Sequence, residues 1–183
     1  MRTFIAIEIP TSLKPKIVAS QKKIAATGAD IKLVELENLH YNLKFLGEID
    51  QDKLETVKKA LSGISFPAFD IHIAGIGSLP SATYIRVVWI GAKEGNQELK
   101  ALAATVEDAL AEIGIERDQR PFTPHLTLGR VGSAKAKDAL AAAVKGLQGT
   151  DIGTARISKF VLFESKLSPK GPTYTPLLTV ELK

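Results

Sequence analysis

The alternation of apolar and polar positions divides the chain into short strand-like runs and longer stretches of helical spacing. The opening run Met1-Arg2-Thr3-Phe4-Ile5-Ala6-Ile7-Glu8-Ile9 predicts a first strand; an acidic residue follows its apolar part and no small-residue cleavage site is evident, so it is not read as a leader. Leu13, Ile17 and Ile24, with Val18 and Ala25 beside them, predict a helix that stops near Gly28. Asp50 is placed to cap a second helix with the stripe Leu54, Val57, Ala60 and Leu61, Ile49 is placed to staple onto Leu54, and Gly63 ends it. Residues 69–76 and 83–90 are rich in β-branched and aromatic side chains and predict two strands around a loop at 77–81. Helices are expected over about 97–113 and 134–147, and closing strands over 155–163 and 177–182. The prolines and glycine of residues 165–172 predict a long cationic loop between those last strands.

Laid end to end, the order strand, helix, strand, helix, two strands occurs twice, which reads as an internal duplication. No stretch reaches the roughly 18 apolar residues needed to cross a bilayer, so a soluble, cytoplasmic protein without membrane contact is expected. With no cysteine in 183 residues, disulfides, zinc-thiolate sites and thiol nucleophiles are excluded. A net charge of +4 leans only slightly towards a polyanionic partner.

Two segments carry candidate chemistry, His40-Tyr41-Asn42-Leu43 and His125-Leu126-Thr127-Leu128, placed about half the chain length apart. In a strand, residues two apart share a face. His40 and Asn42 therefore point one way, while Tyr41, Leu43 and Phe45 are expected in the opposite layer; His125 and Thr127 likewise oppose Leu126 and Leu128. A histidine beside a hydrogen-bond donor on a stiff strand is half of an anion site. If a pseudo-two-fold arrangement brings the halves together, one neutral imidazole can take a proton from water while the other, protonated, gives one to a departing oxygen. Asn42 and Thr127 would donate to the non-bridging oxygens, and the scheme calls for no metal or other cofactor.

The stretches His40-Tyr41-Asn42-Leu43-Lys44-Phe45-Leu46-Gly47 and Pro124-His125-Leu126-Thr127-Leu128-Gly129-Arg130 resemble the paired signatures of the 2H phosphoesterase superfamily. The match is to its RNA 2′,3′-cyclic phosphodiesterase branch, the LigT-like or 2′-5′ RNA ligase family. It extends through Phe4-Ile5-Ala6-Ile7, Tyr84-Ile85-Arg86-Val87-Val88-Trp89 and Ser168-Pro169-Lys170-Gly171-Pro172-Thr173-Tyr174. The resemblance implies one bilobal α+β domain over residues 1–183, with two antiparallel sheets facing a central cleft, helices packed outside and one histidine motif from each lobe. It also implies hydrolysis of RNA 2′,3′-cyclic phosphate ends, tRNA fragments among them, by a monomer, with His40 the proton donor, His125 the proton acceptor and reversible 2′-5′ ligation. The family has Thr or Ser where this chain has Asn42, which leaves open another phosphodiester substrate (a 2′-5′ oligonucleotide, a cyclic nucleotide, an ADP-ribose cyclic phosphate) or an RNA-end binder with little turnover.

Other residues carry weaker expectations. His72 is read as an exposed strand residue. Arg130 falls on the face opposite His125 if its strand stays regular, and turns towards phosphate only if a bulge at Gly129 re-aims it. Arg86, Lys166 and Lys170 are read chiefly as solvent-facing charges, and Phe4 and Tyr84 as packing rather than base-stacking aromatics.

Overall fold

In the computed structural model, which describes residues 1–183, the patterned segments become nine strands and four helices. In chain order they are β1 (Arg2–Glu8), α1 (Lys14–Ala25), β2 (Ile31–Leu33), β3 (His40–Glu48), α2 (Gln51–Ser62), β4 (Phe69–Pro80), β5 (Ile85–Ala92), α3 (Asn96–Ala111), β6 (Leu126–Val131), α4 (Lys137–Gly146), β7 (Asp151–Ile157), β8 (Lys159–Ser168) and β9 (Gly171–Glu181). Asp50 caps α2 as expected, its Oδ1 accepting from the Lys53 amide at 2.8 Å. The stretch 155–163 is two strands that meet at Ser158, and β4 continues to Pro80.

Residues 165–172 differ from the expected loop. They extend β8 and β9 into a hairpin in which Lys166 pairs with Thr173 and Ser168 with Gly171, leaving only Pro169 and Lys170 in the turn. Proline is tolerated there because β9 is an edge strand, whose outer side has no neighbour waiting for an N–H.

Every pairing is antiparallel, in the order β7-β4-β5-β6-β3-β1-β8-β9, with β2 beside the far end of β6. The order is symmetric about its middle: β6 answers β3, β5 answers β1, and β4 answers β8. Two half-sheets result, and one residue pair, Tyr41 with Leu126, joins them. Each member follows its motif histidine by one residue, so the pseudo-two-fold relation of the halves passes through this pair.

The first helix of each half crosses to the other. α3 packs with α2 against β3 and β9, and α1 packs with α4 against β2, β4 and β5. One core of 34 buried residues runs beneath both half-sheets. Tyr41 is fully buried in it, and its hydroxyl donates to the Gly91 carbonyl of β5 at 2.9 Å, spanning β6 to tie one half to the other. β1 is buried on both faces. Ile5 and Ile7 enter the main core, while Phe4 and Ala6 join Val161, Phe163 and Tyr174 in a small apolar layer on the other side.

Tyr41→Phe removes one buried hydrogen bond without changing shape, and is expected to cost about 1 kcal/mol. Tyr41→Ala also leaves a cavity at the joint and is expected to cost roughly 3–5 kcal/mol. Denaturant unfolding checks both; a shift no larger for the alanine than for the phenylalanine variant would show that packing at the joint is unimportant.

Candidate active site

The pairing of Tyr41 with Leu126 sets the geometry of everything on the opposite face. One step to either side in that antiparallel register, Thr127 falls beside His40 and His125 beside Asn42. The four side chains form a quadrilateral with histidines on one diagonal and donors on the other. In a regular sheet such diagonals span roughly 7–8 Å, room for a tetrahedral anion between the imidazoles. All four residues line a single cleft of about 1360 Å³. The expected half-sites therefore interleave, each histidine lying across from the other motif's donor.

Both imidazoles are held alike. His40 Nδ1 lies 2.6 Å from the Asn38 carbonyl, and His125 Nδ1 lies 2.8 Å from the Thr123 carbonyl, in each case two residues upstream. A carbonyl only accepts, so each Nδ1 carries the proton and each Nε2 is left for chemistry. Asn38 is itself fixed, its Nδ2 donating to the Pro172 carbonyl at 3.1 Å, which ties the β8–β9 hairpin to the His40 mount.

Past the histidines both strands bulge at the equivalent position. Ile5 pairs with Lys44 and Ala6 with Asn42, making Leu43 the extra residue; Val88 pairs with Gly129 and Trp89 with Thr127, making Leu128 the extra one. Each bulge falls three residues after its histidine and reverses the alternation beyond it. This corrects the expectation for Phe45: it does not enter the opposite layer but lies on the cleft face, 48% exposed, stacked at 5.9 Å on Phe4 with Arg2 over its ring. Arg130 occupies the matching position in the other half and also turns into the cleft. Gln21 of α1 holds that bulge, its Nε2 donating at 3.0 Å to the carbonyls of Leu128 and Val34.

The first bulge sends Lys44 inward. Its side chain is 2% exposed, and its Nζ meets Glu107 Oε1 of α3 at 2.7 Å, Asp118 Oδ1 at 3.1 Å and the Glu116 carbonyl at 3.1 Å. An ammonium so deeply placed needs such partners, and they anchor the segment that leads to His125.

Burial by Phe4 and Tyr174, whose rings lie 5.1 and 5.4 Å from the His40 imidazole, lowers that histidine's pKa. The Asn38 carbonyl acts in the opposite direction, and the Arg130 charge adds to the lowering. Two buried polar atoms of the cleft have no hydrogen-bond partner, Asn42 Oδ1 and Trp89 Nε1. The Trp89 ring lies against Gly77 and Gly91, where a Cβ would come within 2.7 and 3.2 Å of it.

The remaining candidates separate. Lys170 lines the cleft with Lys32, Arg117, Arg120 and Arg130, a cationic rim. Lys166 lies 3.9 Å from Glu164, and Arg86 donates to the Tyr84 hydroxyl at 2.8 Å; neither reaches the cleft. His72 is far from a bare exposed residue: its Nε2 meets Asp151 at 2.8 Å and its Nδ1 meets Glu94 at 2.9 Å, and these bonds raise its pKa. Asn38 and Gln21 carry no signal in the sequence, and Lys44 and Trp89 stand there only within the family-like stretches with no role of their own, although a lysine inside an otherwise apolar strand is a signal for a buried ion pair.

The family model for LigT like phosphoesterases matches residues 7–89 and again residues 90–174, one match for each half. A protein of Archaeoglobus fulgidus named RNA 2′,3′-cyclic phosphodiesterase is 37% identical over 181 residues, covering 99% of this chain and 100% of its own. One of the same name from Methanothermobacter thermautotrophicus is 34% identical, covering 97% and 96%. Among solved structures, Escherichia coli LigT complexed with 3′-AMP superposes with a TM-score of 0.80 at 27% identity, covering 99% of this chain and 97% of that one. The same protein complexed with phosphate gives a TM-score of 0.75 at 25% identity, covering 99% and 96%.

Titration by NMR is expected to place the His40 imidazole below the ordinary value of 6.5 in the free protein. Arg130→Ala removes a like charge and raises it, and inorganic phosphate bound in the cleft raises it further by favouring the imidazolium. A His40 pKa unmoved by both changes would show that Arg130 and the anion do not share its pocket.

Proposed function

The chain belongs to the LigT like phosphoesterase family, and we propose that it hydrolyses the 2′,3′-cyclic phosphodiester at RNA ends to leave a 2′-phosphate. The observation that carries this reading is the pair of imidazoles with free Nε2 atoms on one diagonal of the Tyr41–Leu126 joint, with polar side chains on the other. The cyclic phosphate sits between them. His125 Nε2 takes a proton from water as its oxygen attacks phosphorus. The bond from phosphorus to the 3′ oxygen breaks, and His40 Nε2 gives its proton to that oxygen, leaving a 3′-hydroxyl and a 2′-phosphate.

Thr127 and the Asn42 amide donate to the non-bridging oxygens as charge gathers there, and Arg130 adds positive field. Run backwards with a 5′-hydroxyl in place of water, the same geometry joins two ends through a 2′-5′ linkage. The apolar layer beside His40 disfavours its charge in the free protein, and an anion bound in the cleft favours the imidazolium that the donor role needs. The unit is a monomer of one bilobal domain, each half supplying one histidine, and its substrates are RNA ends such as those of tRNA fragments in the cytoplasm. No helix is long and apolar enough to cross a membrane.

One observation favours a second reading, an RNA-end binder with slow turnover. The buried, unpartnered Oδ1 of Asn42 puts an acceptor next to the anion site, where the family has a hydroxyl that can turn its proton towards phosphate.

A short RNA ending in 2′,3′-cyclic phosphate, incubated with the protein and a chelator, is expected to yield 2′-phosphate. His40→Ala and His125→Ala are each expected to lower the rate by about 10²–10⁴. Activity that survives both substitutions, or that disappears with the chelator, refutes the two-histidine scheme. Asn42→Thr is expected to raise kcat by about tenfold, equivalent to about 1.4 kcal/mol of barrier. A large gain from an almost inactive parent would select the second reading; an unchanged rate would show that the amide serves as well as the hydroxyl.

A further inference from the structure

β2 contains only three residues, and all of them pair with the end of β6 beyond the bulge: Ile31 with Val131, Lys32 with Arg130 and Leu33 with Gly129. Lys32 and Arg130 are therefore direct cross-strand neighbours on one face, both lining the cleft. Like charges directly opposite each other weaken a sheet. Neither residue takes part in an ion pair or a side-chain hydrogen bond, although Glu35 lines the same cleft. The arrangement is also held in place. Gln21 bonds the carbonyls of Leu128 and Val34, and the Val34 amide donates to the Leu128 carbonyl at 2.9 Å, so bulge and β2 are fixed to each other.

From this juxtaposition, and resting on the phosphodiesterase reading above, we infer that Lys32 and Arg130 form a second phosphate site, which takes the internucleotide phosphate on the 5′ side of the cyclic end. The scissile phosphate already has the quadrilateral around it. Arg130 lies beyond Thr127 by a distance of roughly 7–10 Å along β6, and Lys32 lies one further strand, about 4.8 Å, to the side. The guanidinium bridges the two phosphates, while the ammonium is out of reach of the first and close to the second. Two cations on a fixed backbone, neither paired with a carboxylate, bind a phosphodiester through charge and counterion release, independently of base. The site thus makes the enzyme selective for the end of a chain over a lone cyclic nucleotide.

The test compares a nucleoside 2′,3′-cyclic phosphate with a dinucleotide ending in 2′,3′-cyclic phosphate, the second having the one extra phosphate. The wild-type protein is expected to favour the dinucleotide in kcat/KM. Lys32→Ala lowers the dinucleotide-to-mononucleotide ratio by roughly tenfold, the worth of one charged hydrogen bond, through KM rather than kcat; Lys32→Arg restores it. A ratio equal to wild type in the alanine variant, or a loss of the same factor on both substrates, overturns the second site. Binding of a dinucleotide ending in 2′-phosphate, titrated against salt, decides independently of turnover: the slope of log affinity on log salt falls by about one in Lys32→Ala, and an unchanged slope overturns the inference. Failure of the wild-type protein to turn over either cyclic substrate strikes the phosphodiesterase reading instead, and the salt titration still decides the site.

Discussion

The contact between Tyr41 and Leu126 is the constraint on which the rest of the site depends. It is the only pairing between the half-sheets, it joins the residue after each histidine, and it is buried. Because sheet side chains alternate, fixing these two residues in the core fixes His40, Asn42, His125 and Thr127 on the opposite face. A one-residue slip would put both imidazoles in the core and both apolar side chains in the cleft. The phenol of Tyr41, bonded to the Gly91 carbonyl of β5, and the single core under both halves oppose that slip. At one residue pair, this is the shortest ladder in the sheet.

Symmetry supplies the histidines, and departures from it make the two wings of the cleft different. Both strands bulge three residues after the histidine, and both bulges turn the fifth residue after it towards the cleft. In one half that residue is Phe45, beside Phe4 and Arg2; in the other it is Arg130, beside Lys32. One wing is aromatic and the other cationic. The residues at the fourth position diverge too. Gly129 packs closely under Ile31 and Leu33 of β2, where a Cβ would come within 2.9 Å, whereas Lys44 enters the layer below and grips the segment that leads to His125.

Much of this was legible in the chain. Period-two alternation separates the polar from the apolar residues of each motif, and the repeated order of elements implies the two-fold relation. What alternation cannot give is the place where it stops. Nothing in Leu43-Lys44-Phe45 or Leu128-Gly129-Arg130 announces a bulge at the leucine; only the pairings with β1 and β5 reveal it, so alternation alone puts Phe45 on the wrong face and leaves Arg130 undecided. The hairpin at residues 165–172 is hidden for a related reason. Proline and glycine argue against a central strand, but β9 is at an edge, and edge position is a property of the whole sheet. His72 became a bridge between Asp151 and Glu94 only when strand order brought those carboxylates beside it.

The difference between the two imidazoles is invisible in the motifs because it comes from strands remote in sequence. His40 is on the side of the cleft where β1, β8 and β9 contribute Phe4, Phe163 and Tyr174, and that layer removes water from it; His125 is in the half that has no such layer. An imidazole among aromatic rings disfavours its charged form, and an anion bound beside it acts in the opposite direction by favouring the imidazolium. The protonated form that donation requires is therefore favoured when phosphate is present, which couples the charge of His40 to occupancy of the cleft. The same fold that makes the histidines equivalent in position thus gives them unequal surroundings, with the asymmetry residing in the strands behind the motifs.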